Sequence, residues 1–212
     1  MIMNKSSGFF ITLEGVEGAG KSTHMAYIAG QLKKTGREIV LTREPGGTPL
    51  GEQIRHILLM QKSITIDGMA ELLLMIAARA QHIREVITPA LSDGKIVLCD
   101  RFTDSSYAYQ GGGRGIPAQK ITQLSRVARA DIKPDLTLLF DVPVVTGLQR
   151  ACHDREADRF EQETFDFFQA VRSTYLKIAE SDPGRVKVIN TDTDIGTVHS
   201  RIREILRENN LC

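Results

Sequence analysis

Residues Gly15 to Ser22 read Gly-Val-Glu-Gly-Ala-Gly-Lys-Ser, and no other stretch constrains the fold of this chain as tightly. The spacing is G-x-x-x-x-G-K-[ST]. Its glycines let the backbone turn so that successive N–H groups point inward, and a following helix adds the positive end of its dipole. Phosphate oxygens are the natural occupants of such a cradle. The arrangement works only between a buried strand and a helix. Here the apolar run Phe9 to Leu13 leads in, ended by Glu14, and helical periodicity begins at Lys21. A chain built on that joint is expected to continue as βαβ units around a parallel sheet.

The rest of the sequence agrees. Four more strand-length apolar runs occur at Glu38–Leu41, Lys95–Cys99, Leu136–Phe140 and Val186–Ile189. They are continuous rather than alternating, as in strands covered on both faces. Between them the spacing predicts helices at about Lys21–Lys34, Leu50–Met60, Asp67–Leu91, Pro117–Ala130, Val144–His153, Gln162–Glu180 and Ile195–Arg207. The 67–91 stretch has an apolar stripe wide enough for a central, largely buried helix. Pro45-Gly46-Gly47 and Gly111-Gly112-Gly113 are read as loops, and Asp182-Pro183-Gly184 as a turn. The charge-dense stretch from Arg150 to Arg159 is read as solvent-facing. The expectation is an α/β protein of the P-loop NTPase fold. It has one domain over residues 1–212, a sheet of about five parallel strands with helices on both faces, and a short mobile lid at about 149–160.

A net charge of +1 argues against broad electrostatic binding to nucleic acid. No run approaches the roughly 18 apolar residues of a membrane span. The apolar stretch after Met1 to Lys5 is too short and too soon broken for a signal-peptide core, so a cytoplasmic protein is expected. Cys99, Cys152 and Cys212 lie far apart without C-x-x-C spacing, which suggests neither zinc nor a disulfide framework. Cys99 is expected to be a buried small apolar residue.

Within the loop, Lys21 is placed to reach the β- and γ-phosphates and the Ser22 hydroxyl to ligate Mg²⁺. Triphosphate binding alone does not define an activity. The D-x-x-G and N-K-x-D patterns of GTPase switches are absent. A small kinase remains, and it needs a second pocket for an acceptor. Arg43-Glu44-Pro45-Gly46-Gly47-Thr48 follows the second strand, and Asp100-Arg101-Phe102 ends the third. In an open parallel sheet, residues just past the strand C-termini line the ligand crevice, so both motifs converge on the edge holding the P-loop.

The chain resembles the thymidylate kinase family, which makes dTDP from dTMP and ATP. The resemblance rests on G-V-E-G-A-G-K-S-T, R-E-P-G-G-T, A-A-R-A-Q-H (Ala77 to His82), D-R-F-x-D-S-S-x-A-Y-Q-G, P-D-L-T-L-x-x-D (Pro134 to Asp141) and D-R-F-E (Asp158 to Glu161). These run in family order from about residue 8 to 190. The resemblance implies that Gly15, Val16, Glu17, Gly18, Ala19, Gly20, Lys21, Ser22 and Thr23 bind ATP. It implies that Arg55 and Arg101 hold the 5′-phosphate of dTMP, with Glu17 near its sugar and Tyr109 against the deoxyribose. Arg79, Ser105, Ser106 and Gln110 then surround thymine, with Glu44, Pro45 and Met75 beside them. Asp100 orients Mg²⁺ or the acceptor phosphate, so Ser22 and Asp100 are the candidate metal residues. Glu44 fits either a bracing or a binding role. Asp141 resembles a Walker-B aspartate and equally fits a helix cap. A homodimer with long helices at the interface is also implied.

Two departures stand out. Some relatives carry an arginine directly after the P-loop acid, where this chain has Gly18. The catalytic cation must then come from elsewhere, and the resemblance to bacterial-type relatives implies the lid. Related lids read like R-A-R-x-R-G, whereas this one reads Arg150-Ala151-Cys152-His153-Asp154-Arg155. Arg150 or Arg155 is expected to serve, with Arg159 as the anchor of D-R-F-E. Met75 stands where many relatives have an aromatic residue stacked on thymine. A kinase for a different nucleotide, and a regulatory nucleotide-binding module without turnover, are the other readings open from sequence.

Overall fold

In a computed structural model, which describes residues 8–61, 64–128, 132–151, 159–161 and 163–211, all five apolar runs are strands. They are β1 (Phe9–Glu14), β2 (Ile39–Arg43), β3 (Ile96–Asp100), β4 (Leu136–Asp141) and β5 (Val186–Asn190). Their order is β2-β3-β1-β4-β5, and each neighbouring pair is parallel. The three central strands carry unbroken buried runs, whereas the edge strands β2 and β5 expose Leu41 and Val188. Ile11 and Leu13 pack with Ile28 and Leu32 of α1 (Lys21–Leu32) and with Ile202 of α9 (Ile195–Glu208). On the other face Phe10, Val97 and Cys99 pack with Ile83 and Ile87. Side chains alternate across a strand, so these two clusters are opposite faces of one covered sheet. Cys99 is buried, as expected.

Each strand extends one or two residues beyond the end of its apolar run, to Glu14, Arg43, Asp100, Asp141 and Asn190. Hydrophobicity loses the strand where polar side chains begin, and of these five Asp100 lines the cleft described below. The register sets Asp100 beside both Leu13 and Arg43.

Three helix starts have visible causes. Thr48 accepts from Gly51 N at 3.0 Å to open α2 (Pro49–Met60), whose first residue is proline. Asp67 accepts from Met69 N at 2.9 Å at the head of α3 (Gly68–His82). Thr164 caps α8 (Phe165–Ser181) through Phe167 N at 3.2 Å.

Two expectations are corrected. The single helix expected over 67–91 is α3, a π-helical segment Ile83–Ile87, and α4 (Thr88–Ser92). Pro89 lacks an N–H and its ring crowds the carbonyl four residues earlier, which a widened turn relieves. Gly111-Gly112-Gly113 is not a loop. After α5 (Thr103–Ser106), residues Tyr107–Gly113 form a π-helix that packs on α8. A Cβ on Gly112 would stand 2.2 Å from Thr174 Oγ1, and one on Gly113 2.3 Å from the Phe167 ring. These glycines permit close helix contact rather than a turn. The remaining helices are α6 (Ala118–Val127) and α7 (Val144–Ala151). The expected lid falls mostly on residues 152–158, outside the described residues, and Arg155 with it.

Candidate active site

A cleft of about 650 Å³ opens where β1, β2, β3 and β5 end. The P-loop forms its floor. Gly20 adopts the left-handed conformation (φ 86°) immediately before α1. Gly18 (φ 68°) lies so close to α7 that a Cβ there would stand 1.9 Å from the Gly147 carbonyl oxygen. An arginine in this position is therefore excluded by backbone contact as well as missing from the sequence.

Lys21 is nearly buried, and its Nζ donates to Gly15 O at 3.0 Å and Val16 O at 2.8 Å. Burial, reinforced by the Arg101 cation, pulls its pKa down to about 8. Arg101 holds the same carbonyl, with Nη1 donating to Gly15 O at 3.1 Å. Its Nη2 donates to Glu17 at 2.9 Å, and its guanidinium lies 4.8 Å from the centre of the Tyr109 ring. The Tyr109 hydroxyl donates to Glu17 at 2.7 Å. Two cations thus meet at one backbone oxygen, with the Glu17 carboxylate on the far nitrogen of Arg101. That geometry suits phosphate oxygens on both sides.

Arg101 has φ 68°, a conformation costing an L-residue about 1–2 kcal/mol. Neighbouring bonds hold it there. Arg101 N donates to Leu13 O at 2.9 Å, Phe102 N to Glu14 at 2.8 Å, and Arg79 Nη2 to Phe102 O at 3.0 Å. Glu14 is fully buried and also accepts from Ser105 Oγ at 2.6 Å and the Tyr175 hydroxyl at 2.7 Å. Burial, and then the charge of Asp104, raise its pKa from 4.5 to about 7. The folded chain therefore holds a proton that the unfolded chain releases, and Glu14's contribution to stability falls as pH rises from about 4.5 to about 7. Glu14→Gln has no such proton, so its stability relative to the parent should improve between pH 5 and 7.5. Urea melts at the two pH values check this, and parallel shifts in both proteins would contradict it.

Most sequence-derived site residues line this one cleft. Gly18, Ala19, Gly20, Lys21, Ser22 and Thr23 line one half, with Arg150 beside them. Glu17, Glu44, Pro45, Arg55, Met75, Arg79, Asp100, Arg101, Ser105, Ser106, Tyr109 and Gln110 line the other half. Gly15 and Val16 are not lining residues and instead offer Lys21 their carbonyls. Arg150 donates to Thr191 O at 3.1 Å, and Arg55 to Pro45 O at 3.0 Å. Asp141 is absent from the lining, because Arg172 takes both of its oxygens at 2.7 and 2.8 Å. Arg159 is tied down as an anchor, donating to Leu58 O at 2.8 Å and to buried Glu71. Glu71 also accepts from Gln110 at 2.8 Å and Arg114 at 3.2 Å.

Sequence reasoning missed Glu71 and Tyr175, which hold lining residues from behind, and the cleft wall of Thr191, Thr193, Ile195 and Val198. Glu71 had one signal, a lone acid in the apolar stripe of α3. The wall had none.

Asp100 Oδ1 is buried with no hydrogen-bond partner among the described residues, and it lines the cleft with Ser22. An orphaned carboxylate oxygen in a cleft that Ser22 also lines is suitable for a hard cation. Among the described residues no three metal-binding side chains cluster, so a Mg²⁺ here would be carried largely by phosphates and water.

A phosphate-binding loop and an arginine-bearing acceptor half, joined in one cleft of a parallel sheet, define a nucleoside monophosphate kinase of the P-loop class. The family model described as thymidylate kinase matches residues 13–202, and the chain belongs to that family. It is 53% identical over 200 residues to the thymidylate kinase of Pseudomonas savastanoi pv. phaseolicola, covering 94% of this chain and 95% of that one. With the thymidylate kinase of Pseudomonas fluorescens it shares 58% identity over 179 residues, 84% of this chain and 85% of the relative. The crystal structure of thymidylate kinase from Ehrlichia chaffeensis superposes with a TM-score of 0.77 at 35% identity, covering 94% of this chain and 99% of the other. The activity of the family is phosphorylation of dTMP.

Proposed function

We propose that ATP lies over the P-loop with its γ-phosphate at Lys21, and that dTMP enters the other half with its 5′-phosphate at Arg101. The observation that carries this is the shared Gly15 carbonyl, which Lys21 reaches at 3.0 Å and Arg101 at 3.1 Å. The donor cation and the acceptor cation thereby flank a single point, where the transferring group passes. Transfer of a phosphoryl group needs positioning and charge neutralisation more than covalent help. The acceptor is a phosphate already ionised near neutral pH, so no strong general base is required. Mg²⁺, held at Ser22 and Asp100, supplies charge neutralisation on the phosphates when bound. Arg55 joins Arg101 on the acceptor phosphate, where a planar guanidinium matches the oxygens. Arg150, or Arg155 from the lid at about 149–160, covers the transferring group as the single domain closes.

Glu17 and Tyr109 hold the sugar, and Arg79, Ser105, Ser106 and Gln110 hold thymine. Glu44 and Pro45 back them. Met75 offers thymine a polarizable apolar surface in place of a ring. Selectivity therefore rests on the polar contacts, which reject a wrong base more strongly than shape does. In an ADP-release assay dTMP should be turned over in strong preference to dCMP and dGMP, whose base edges carry a different donor and acceptor pattern. Equal turnover of all three contradicts the assignment.

Leu50, Ile57 and Met60 on α2 and Leu73 on α3 are exposed on two helices that pack together, which supports a homodimer formed there. No helix among the described residues is long and apolar enough to cross a membrane. We place the enzyme in the cytoplasm, where free nucleotides are its substrates.

A further inference from the structure

Arg79 lines the acceptor half, but its plane is set from behind. A guanidinium carries five N–H donors in a rigid fork. Among the described residues Nε donates to Glu44 Oε2 at 2.6 Å, Nη1 to Ser106 Oγ at 3.0 Å and Nη2 to Phe102 O at 3.0 Å. One N–H on each terminal nitrogen is left for the cleft. The other Glu44 oxygen lies 2.9 Å from Nδ1 of His82, and Nε2 of His82 lies 2.6 Å from Oγ1 of Thr42. A carboxylate oxygen only accepts, so Nδ1 is the donor there, and the Thr42 hydroxyl is free to donate to Nε2. His82 is fully buried and is not among the residues lining the cleft. A Cβ on Gly47 would stand 2.7 Å from its Nε2, so the Pro45-Gly46-Gly47 loop closes over the ring.

We propose that His82 is a positioning residue for recognition of the acceptor base: it fixes the Glu44 carboxylate, and Glu44 fixes the plane of Arg79. The proposal rests on the reading that Arg79 faces the base of dTMP. Glu44 is a flexible side chain, and His82 and Arg79 are its hydrogen-bonding partners among the described residues. Without the Nδ1 donor, a buried carboxylate oxygen is unsatisfied, and the side chain turns to find another partner. Nε of Arg79 follows it. Both terminal N–H groups then swing together, and hydrogen bonds weaken steeply as their angles close. A ring that merely filled space would not need a polar partner on each nitrogen, one on β2 and one in the following loop.

Two substitutions separate the ends of the ring. His82→Asn places an amide nitrogen near Nδ1 and keeps the Glu44 contact. His82→Gln places it near Nε2 and keeps the Thr42 contact. Steady-state kinetics of the full chain should show His82→Gln with a KM for dTMP raised about tenfold. Its KM for ATP should be unchanged, and its preference for dTMP over dCMP narrowed, since arginine can only donate and favours a carbonyl edge over an amino edge. His82→Asn should stay near the parent on every count. Thr42→Val, of nearly the same shape, removes the hydroxyl that donates to Nε2 and holds the ring in its Nδ1–H tautomer. It should therefore raise the dTMP KM in the same direction, whereas the amide of His82→Asn has no tautomer to set. Equal dTMP KM values for the Asn and Gln variants overturn the proposal, whether both are normal or both impaired. If either variant fails to fold, Thr42→Val decides, and an unchanged dTMP KM there overturns it too. Arg79→Gln is the reference. Normal dTMP binding in that variant overturns the base-site reading itself, whereas impaired binding there with normal His82 variants overturns only the role of His82.

Discussion

Lys21→Ala should lose phosphoryl transfer by about 10²–10³-fold or more, the usual cost of removing one preorganised donor from a transition-state site. The structure explains why no neighbour substitutes. Arg101 shares the Gly15 carbonyl, yet its second nitrogen is held by Glu17, and Gly18 excludes a side chain on the loop itself. Lys21 is also costly to keep charged, with its pKa pulled down to about 8 by burial and then by Arg101. A phosphate removes that cost, so the lysine is held ready for an anion. The alanine variant should therefore fold at least as well as the parent while turning over little. Measuring kcat by ADP release and stability by urea melt on the same preparation checks both halves. Retained turnover in a folded variant would remove Lys21 from the mechanism.

Arg101 should give the second largest effect. Arg101→Ala removes the charged fork we propose for the acceptor phosphate, and the expected loss is about 2–5 kcal/mol in kcat/KM for dTMP. The KM for ATP should move far less. Arg101→Lys should recover only part, because an ammonium cannot reproduce the planar two-point contact. Residue 101 sits at φ 68°, where glycine is at ease and alanine is not. Arg101→Gly should therefore be as inactive as Arg101→Ala yet more resistant to urea. If activity instead tracks stability across the three variants, Arg101 acts on the fold rather than on the acceptor.

The sequence made the sheet, its parallel sense and most of the cleft legible, for one physical reason. A strand buried on both faces must be a short apolar run, and ligand residues must follow its C-terminal end. Asp100-Arg101 and Arg43-Glu44 could be placed in that way without coordinates. What stayed hidden was held by long-range contact. Glu14 meets Tyr175 across 161 positions, and Arg159 meets Leu58 across 101. No spacing along the chain encodes such pairs. The glycines at 111 to 113 misled because close packing on α8 and a turn demand the same residue. Glu44, which fitted either bracing or binding, braces Arg79 and lines the cleft as well.

The pairing of a donor cation and an acceptor cation at Gly15 is tested most directly by a crystal structure of the chain with Mg²⁺, dTMP and a non-hydrolysable ATP analogue. The terminal phosphate should lie against Lys21, and the dTMP phosphate within about 3 Å of the Arg101 guanidinium. A dTMP phosphate bound beyond hydrogen-bonding reach of Arg101 would contradict the account.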